Sequence, residues 1–154
     1  MKASAQQGRL AAEPAGGWAI IGSLAELEEL VRSRETSYVR YSKGPEVDAH
    51  EQSVDTESGL KLPGLSVNPL HPAGWWTRPL ADWLARQVCQ YQDLHHKNPA
   101  RFPWVLDGRV VERGPDNEPL LVDVEVLGTL SRGVLEEASE RYSRNFRAGK
   151  GPED

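Results

Sequence analysis

Apolar positions along the chain follow two rhythms, one with helical spacing and one alternating. Leu24, Leu27, Leu30 and Val31 fall on one face of a helix, with Glu26, Glu28, Glu29 and Arg32 opposite. Just before them, Ser23-Leu24-Ala25-Glu26 has the form of a capping box. Its hydroxyl can accept from the third backbone N–H and its carboxylate can reach back to the cap, which predicts the helix start. The run Gly16 to Ile21 fits either a short strand or a hydrophobic clamp beside this helix. The clamp is the expectation, with Ile21 as a staple against Ala25 or Leu27. A second helix is predicted from Pro79, with Leu80, Trp83, Leu84, Gln87, Val88 and Tyr91 on one face, ending near His95 or His96 before Pro99. A third carries Val134, Leu135, Ala138, Tyr142 and Phe146, with Arg141, Arg144 and Arg147 on its polar side.

The alternating rhythm marks strands. Tyr38-Val39-Arg40-Tyr41 is aromatic and β-branched, which places Val39 and Tyr41 on one face and Tyr38 and Arg40 on the other. Leu65 to Asn68 reads as a second strand ended by Pro69, which has no N–H for a continuing ladder. Trp104-Val105-Leu106 and Arg109-Val110-Val111 flank Asp107-Gly108, a pair that tolerates the positive φ angles of a type I′ turn, so a hairpin tip is predicted there. Gly114-Pro115-Asp116-Asn117 is another turn, followed by Val122, Val124 and Val126 alternating with Asp123 and Glu125 as in a half-buried strand. Between Ser42 and Gly59 the chain is acidic and poor in apolar residues, the pattern of an exposed loop.

The order of elements does not alternate regularly enough for a doubly wound sheet. It fits a single α+β domain at 18–148, a mainly antiparallel sheet of four to five short strands packed with about three helices. Residues 1–17 read as a disordered leader and 149–154 as a flexible tail.

Composition narrows the functional classes. The 154 residues hold 18 Lys and Arg against 23 Asp and Glu, a formal charge of -5, so there is no bulk positive field and nucleic acid is not an expected partner. A mean hydropathy of -0.57 and the absence of any run near the ~20 apolar residues of a membrane helix predict no membrane contact. Cys89, the one cysteine, cannot form an internal disulfide or supply a thiolate-rich zinc site, which fits a cytoplasmic protein.

The candidate chemistry is sparse. Cys89 lies at the margin of the second helix's apolar face, where a packed thiol is the expected role. Cys89 and His96 are two helical turns apart, ~10.5 Å of rise, too far to share an ion, and the acidic loop lacks the ligand spacing of an EF-hand, so no metal is expected. Arg141, Arg144 and Arg147 near a helix C-terminus are explained by the macrodipole. Trp83 belongs to the core by its spacing, whereas adjacent Trp75 and Trp76 in an extended segment point to different sides, leaving one indole for a cleft or an interface.

Residues 38–45, Leu62 to Leu70, Trp75-Trp76 and Arg113 to Leu120 together resemble a family of small actinobacterial single-domain proteins of unknown function, over roughly Leu24 to Phe146. That resemblance implies a bacterial single-domain protein and no particular activity. A second likeness lies in the order Arg40, Ser66, Glu118, which is similar to the Arg-Ser-Glu order of ADP-ribosyltransferases. It implies NAD as cofactor, with Arg40 on phosphate or ribose oxygens, Ser66 bracing the pocket, Glu118 as the catalytic carboxylate and Trp75 or Trp76 on the nicotinamide. Ser66-Val67-Asn68 departs from that family's Ser-x-Ser/Thr, as do Asn117 and Pro119 around Glu118. Without the likeness, Arg40 is expected to pair with Asp116 or Glu118 and close two loops. The candidate ligand-binding set is therefore Arg40, Ser66, Asn68, Trp75, Trp76, Asp116 and Asn117. The preferred expectation is a protein- or ligand-binding module without a cofactor, anchored by an exposed indole and steered by the acidic loop.

Overall fold

A computed structural model describes residues 17–48, 62–97 and 99–146. The expected leader (except Gly17), the acidic loop beyond Asp48 and the tail lie outside the described residues. Within them the chain is a mixed α+β structure of six strands and five helical segments: β1 (Ile20–Ile21), α1 (Leu24–Arg32), β2 (Tyr38–Ser42), α2 (Pro45–Asp48), β3 (Leu65–Ser66), β4 (Asn68–Pro69), α3 (Leu80–Val88), α4 (Gln90–Lys97), β5 (Phe102–Arg113), β6 (Pro119–Leu130) and α5 (Arg132–Phe146). Among the described residues no helix is long and apolar enough to cross a membrane.

The first helix starts where its cap predicts. Ser23 Oγ accepts from the Glu26 N–H at 3.1 Å, while Glu26 Oε1 accepts from the N–H of Gly22 at 2.7 Å, one residue earlier than a standard capping box. The segment before it is a strand rather than only a clamp: β1 runs parallel to β6, pairing Ile20 with Thr129 and Ile21 with Leu130. Ile21 still packs its side chain into the core beside Leu24 and Leu27. This one parallel pair makes the sheet mixed, not purely antiparallel.

The hairpin tip is not at Asp107-Gly108. β5 runs straight through these residues, neither of which has positive φ, and the turn lies at Gly114 to Asn117, with the Asn117 N–H on the Gly114 carbonyl at 2.9 Å and Asn117 at φ 63°. Pro115 fits the first central position of that turn, and Asn117 tolerates the left-handed conformation that closes it. Asp107-Gly108 sits opposite a β-bulge instead. Asp107 pairs with Glu125 and Arg109 with Val122, so β6 carries an extra residue here, with Asp123 at φ 54°. Glycine is required because a Cβ at position 108 would stand 2.8 Å from the Val122 carbonyl oxygen.

Further register shifts bend the two long strands, each 12 residues. The bend lets the sheet curl. β2 pairs with β5, β5 with β6 and β6 with β3, while β4, one residue beyond β3, pairs back with β2. The predicted strand Leu65–Asn68 is thus split between two partners with Val67 at the crossing. Strand alternation then sorts side chains into two cores. Val39 and Val105 face the helices with Leu84, Val88, Val134 and Ala138, and Tyr38, Trp104, Leu106, Leu121 and Val67 fill the inside of the curl.

The second predicted helix is two: α3 ends at Cys89, and α4 runs on to Lys97. Its apolar face is as expected, and Gln87 is satisfied there by donating to the Pro69 carbonyl at 2.8 Å. The start of the acidic stretch is not an exposed loop: it forms the single turn α2, and the Asp48 side chain is only 8% exposed.

Candidate functional site

Two groups of the sequence-predicted residues end up in different places. Arg40 projects to the inner side of β2 with Tyr38 and Ser42. Its Nε donates to Asp48 Oδ2 at 2.7 Å, and its Nη1 donates to the main-chain carbonyl of Ser66 at 2.8 Å. Asp48 Oδ2 also accepts from Ser42 Oγ at 2.6 Å, and Ser42 Oγ in turn accepts from Trp104 Nε1 at 2.9 Å. Ser66 Oγ donates to Glu118 Oε2 at 2.9 Å, and Glu118 Oε1 accepts from the Asp116 N–H at 2.9 Å.

Arg40, Ser66 and Glu118 therefore form a chain, with Ser66 as the link through its carbonyl on one side and its hydroxyl on the other. The ion-pair partner of Arg40 is Asp48. Among the described residues no salt bridge joins Arg40 to Asp116 or Glu118, which corrects the expected pairing. The cause is α2, which carries Asp48 back over β2. Asn68 donates to the hydroxyl of Tyr91 at 3.0 Å and so ties β4 to α4. Asp116 and Asn117 are exposed in the turn that closes the β5–β6 hairpin.

Trp75 and Trp76 lie elsewhere, at the entrance to α3. The segment is a turn rather than extended, with the Trp76 N–H on the Ala73 carbonyl at 3.0 Å. Both indoles therefore lean on the same residue: Trp83 lies 6.0 Å from Trp75 and 5.1 Å from Trp76, all in edge-on contact. Trp76 packs further against Phe146, whose ring stacks on Tyr142 at 5.0 Å. Edge-to-face contacts of this kind each add about 0.5–1.5 kcal/mol beyond burial and hold the rings rigid. Trp83 is 4% exposed and Trp75 67%, so the cluster runs from the core out to water.

Two guanidinium groups border this shelf. Arg86 stands 5.2 Å from the Trp83 ring and 5.8 Å from Trp75, and Arg78 stands 4.3 Å over Phe146. Arg86 is exposed and makes no salt bridge among the described residues. Arg78 is tied to Asp82, which is 3% exposed and also accepts from Arg141 at 2.6 Å and Asn145 at 3.0 Å. Burial works against the Asp82 carboxylate, but the hydrogen bonds and charges of Arg141 and Arg78 outweigh it and hold its pKa below the usual value. Arg141, itself partly exposed, thus pairs with the buried Asp82 carboxylate between α3 and α5. Arg144 reaches Glu140 at the surface, and Arg147 lies outside the described residues.

Sequence reasoning missed Arg86, Asp82 and Asp48. The spacing Arg78–Asp82 is an i, i+4 pair and Trp83–Arg86 an i, i+3 pair, signals that were present in the chain. Cys89 is half-buried at the end of α3, and burial pushes its thiol up. Among the described residues no cluster of His, Cys, Asp or Glu is placed to hold a metal ion.

A family model described as a family of unknown function (DUF6098) matches residues 16–152. No curated protein and no solved structure matches the chain.

Proposed function

Taking as premise that the chain belongs to this family of unknown function, DUF6098, we propose that it is a binding module whose recognition surface is the shelf of Trp75, Trp76, Arg78 and Arg86. The observation that carries the reading is Trp75. A rigid indole two thirds in water, backed by buried Trp83 and flanked by a guanidinium that makes no salt bridge among the described residues, is the composition of an interface anchor. Covering the exposed part of one indole offers roughly 3–4 kcal/mol of apolar burial. The cationic border selects a partner of complementary charge, so the partner is an acidic protein segment with an apolar or aromatic residue to meet the indole. A reducing, cytoplasmic setting accords with the single half-buried thiol.

The transferase-like alternative has less support. The guanidinium of Arg40 is occupied by Asp48 and a main-chain carbonyl, and both oxygens of Glu118 accept hydrogen bonds, one from the Ser66 hydroxyl of β3 and one from the Asp116 N–H of the hairpin turn. Neither group is presented to a dinucleotide, and Trp75 and Trp76 belong to a different cluster.

Selection of peptides from a random display library on the immobilised full chain tests the reading. The expected outcome is enrichment of acidic sequences containing an aromatic or large aliphatic residue, with binding lost on Trp75→Ala and weakened on Arg86→Ala. Absence of enrichment, or enriched peptides that bind the Trp75→Ala protein equally well, would overturn it.

A further inference from the structure

A cleft of about 560 Å³ opens beside the curl of the sheet, apart from the tryptophan shelf. Its lining is largely apolar: Trp18, Leu65 and the alternating Val122, Val124 and Val126 of β6, above the fully buried Trp104. The volume lies within the range of small-molecule sites, about 300–1,000 Å³. Trp104 is fixed beneath the cleft because its indole N–H is held by Ser42, and Ser42 is held by Asp48 in the network that Arg40 completes. The valines are only partly buried, so this face of β6 leaves apolar surface in contact with water.

The remaining lining is one-sided in charge. Glu46, Asp48 and Asp123 border the cleft, and no basic side chain does so among the described lining residues. Asp48 is neutralised by Arg40, and Asp123 pairs with Arg109 in a contact exposed on both sides. Glu46 is exposed and makes no salt bridge among the described residues. A carboxylate with no ion partner among the described residues, at the edge of an apolar cleft that carries the partly buried Trp18 indole, is the chemistry that receives an organic cation. The hydrocarbon part packs on the valines and Trp18, and the ammonium group meets the Glu46 carboxylate. We infer that this cleft is a second binding site, for a small amphiphilic ammonium compound.

The test is a titration of the full chain with octylammonium and, separately, octanoate, followed by tryptophan fluorescence. The pair shares a tail and differs in the sign of its head. Octylammonium is expected to bind at least tenfold more tightly than octanoate, with affinity falling about fivefold in Glu46→Gln and lost in Val124→Arg. Trp75→Ala is expected to leave it unchanged, which separates this site from the shelf. Equal affinity for the two compounds, no measurable octylammonium binding, or an affinity indifferent to Glu46→Gln would overturn the inference. The Glu46 variant decides the matter even if Val124→Arg fails to fold, because Glu46 is an exposed surface residue.

Discussion

Arg141 on the last helix places its Nε 2.6 Å from Oδ1 of Asp82 on α3, and this contact, with Arg78 and Asn145 on the same carboxylate, locks the two helices together under the tryptophan shelf. Removing the carboxylate leaves three donors without their acceptor. Asp82→Ala is expected to lower stability by about 2–3 kcal/mol in denaturant unfolding, and Arg141→Ala by less, since Arg78 and Asn145 remain. The folded pKa of Asp82 lies below the ordinary aspartate value, as does that of Asp107, so in both the folded state favours the charged form. Their contribution is present above the unfolded pKa and is lost as pH falls through the folded one, so stability declines from about pH 4 downward. Asp82→Asn is expected to flatten that acid limb.

A separate pH dependence comes from His71. Burial lowers its pKa from 6.5, with nearby Asp107 opposing the shift, and its Nε2 is buried without a hydrogen-bond partner among the described residues. The unfolded chain therefore takes up a proton in a range where the folded one does not. Stability is expected to fall as pH drops below 6.5 and to level off below the folded pKa, a step lying above the carboxylate limb. Thermal melts from pH 8 to 4.5 should show this step in the native chain and not in His71→Phe. An identical step in both proteins would assign it to another group.

Three substitutions at two positions probe the bulge and the turn. At Gly108 a Cβ would press on the backbone oxygen of Val122, so Gly108→Ala is expected to cost more than about 1 kcal/mol although the site resembles a turn in sequence. At Asn117, where φ is 63°, Asn117→Gly is expected to be neutral or slightly stabilising and Asn117→Ala destabilising by about 1 kcal/mol. Chemical denaturation of the three variants reads all of these values.

The Arg40 network gives a prediction about NAD. Isothermal calorimetry with NAD is expected to show no binding heat, because the guanidinium and the carboxylate are spent within the fold. Arg40→Ala is expected to destabilise the chain by about 2–3 kcal/mol by stranding the Asp48 carboxylate, which is 8% exposed. NAD binding abolished in a folded Arg40→Lys protein would restore the transferase reading.

What could be read from the chain was what local chemistry decides. Ser23 starts α1 because its own hydroxyl meets the Glu26 N–H, and β2 sorts Val39 from Arg40 because alternation is a property of any strand. Asp107-Gly108 misled because a pair suited to a hairpin tip also suits the place opposite a bulge, where Gly108 lets the facing backbone approach and Asp107 accepts from Thr36 and Arg34. The choice rests on the register of β6, which is a tertiary fact. The exposed indole was legible only as one of two, because a turn rather than an extended segment carries Trp75 and Trp76. The partner of Arg40 was hidden because Asp48 lies in a stretch whose acidity reads as solvated loop, while α2 folds it inward.

The binding-module reading is tested most directly by the affinity of one selected acidic peptide for the native chain and for Trp75→Ala, measured at the same temperature with both proteins verified as folded by their melting curves. Truncating an interface anchor costs about 2 kcal/mol or more, so the expected result is at least a thirtyfold weaker Kd, with a melt that stays cooperative and is lowered only by the lost edge contacts to Trp76 and Trp83. Equal Kd values for the two proteins would contradict the assignment of the shelf as the recognition surface.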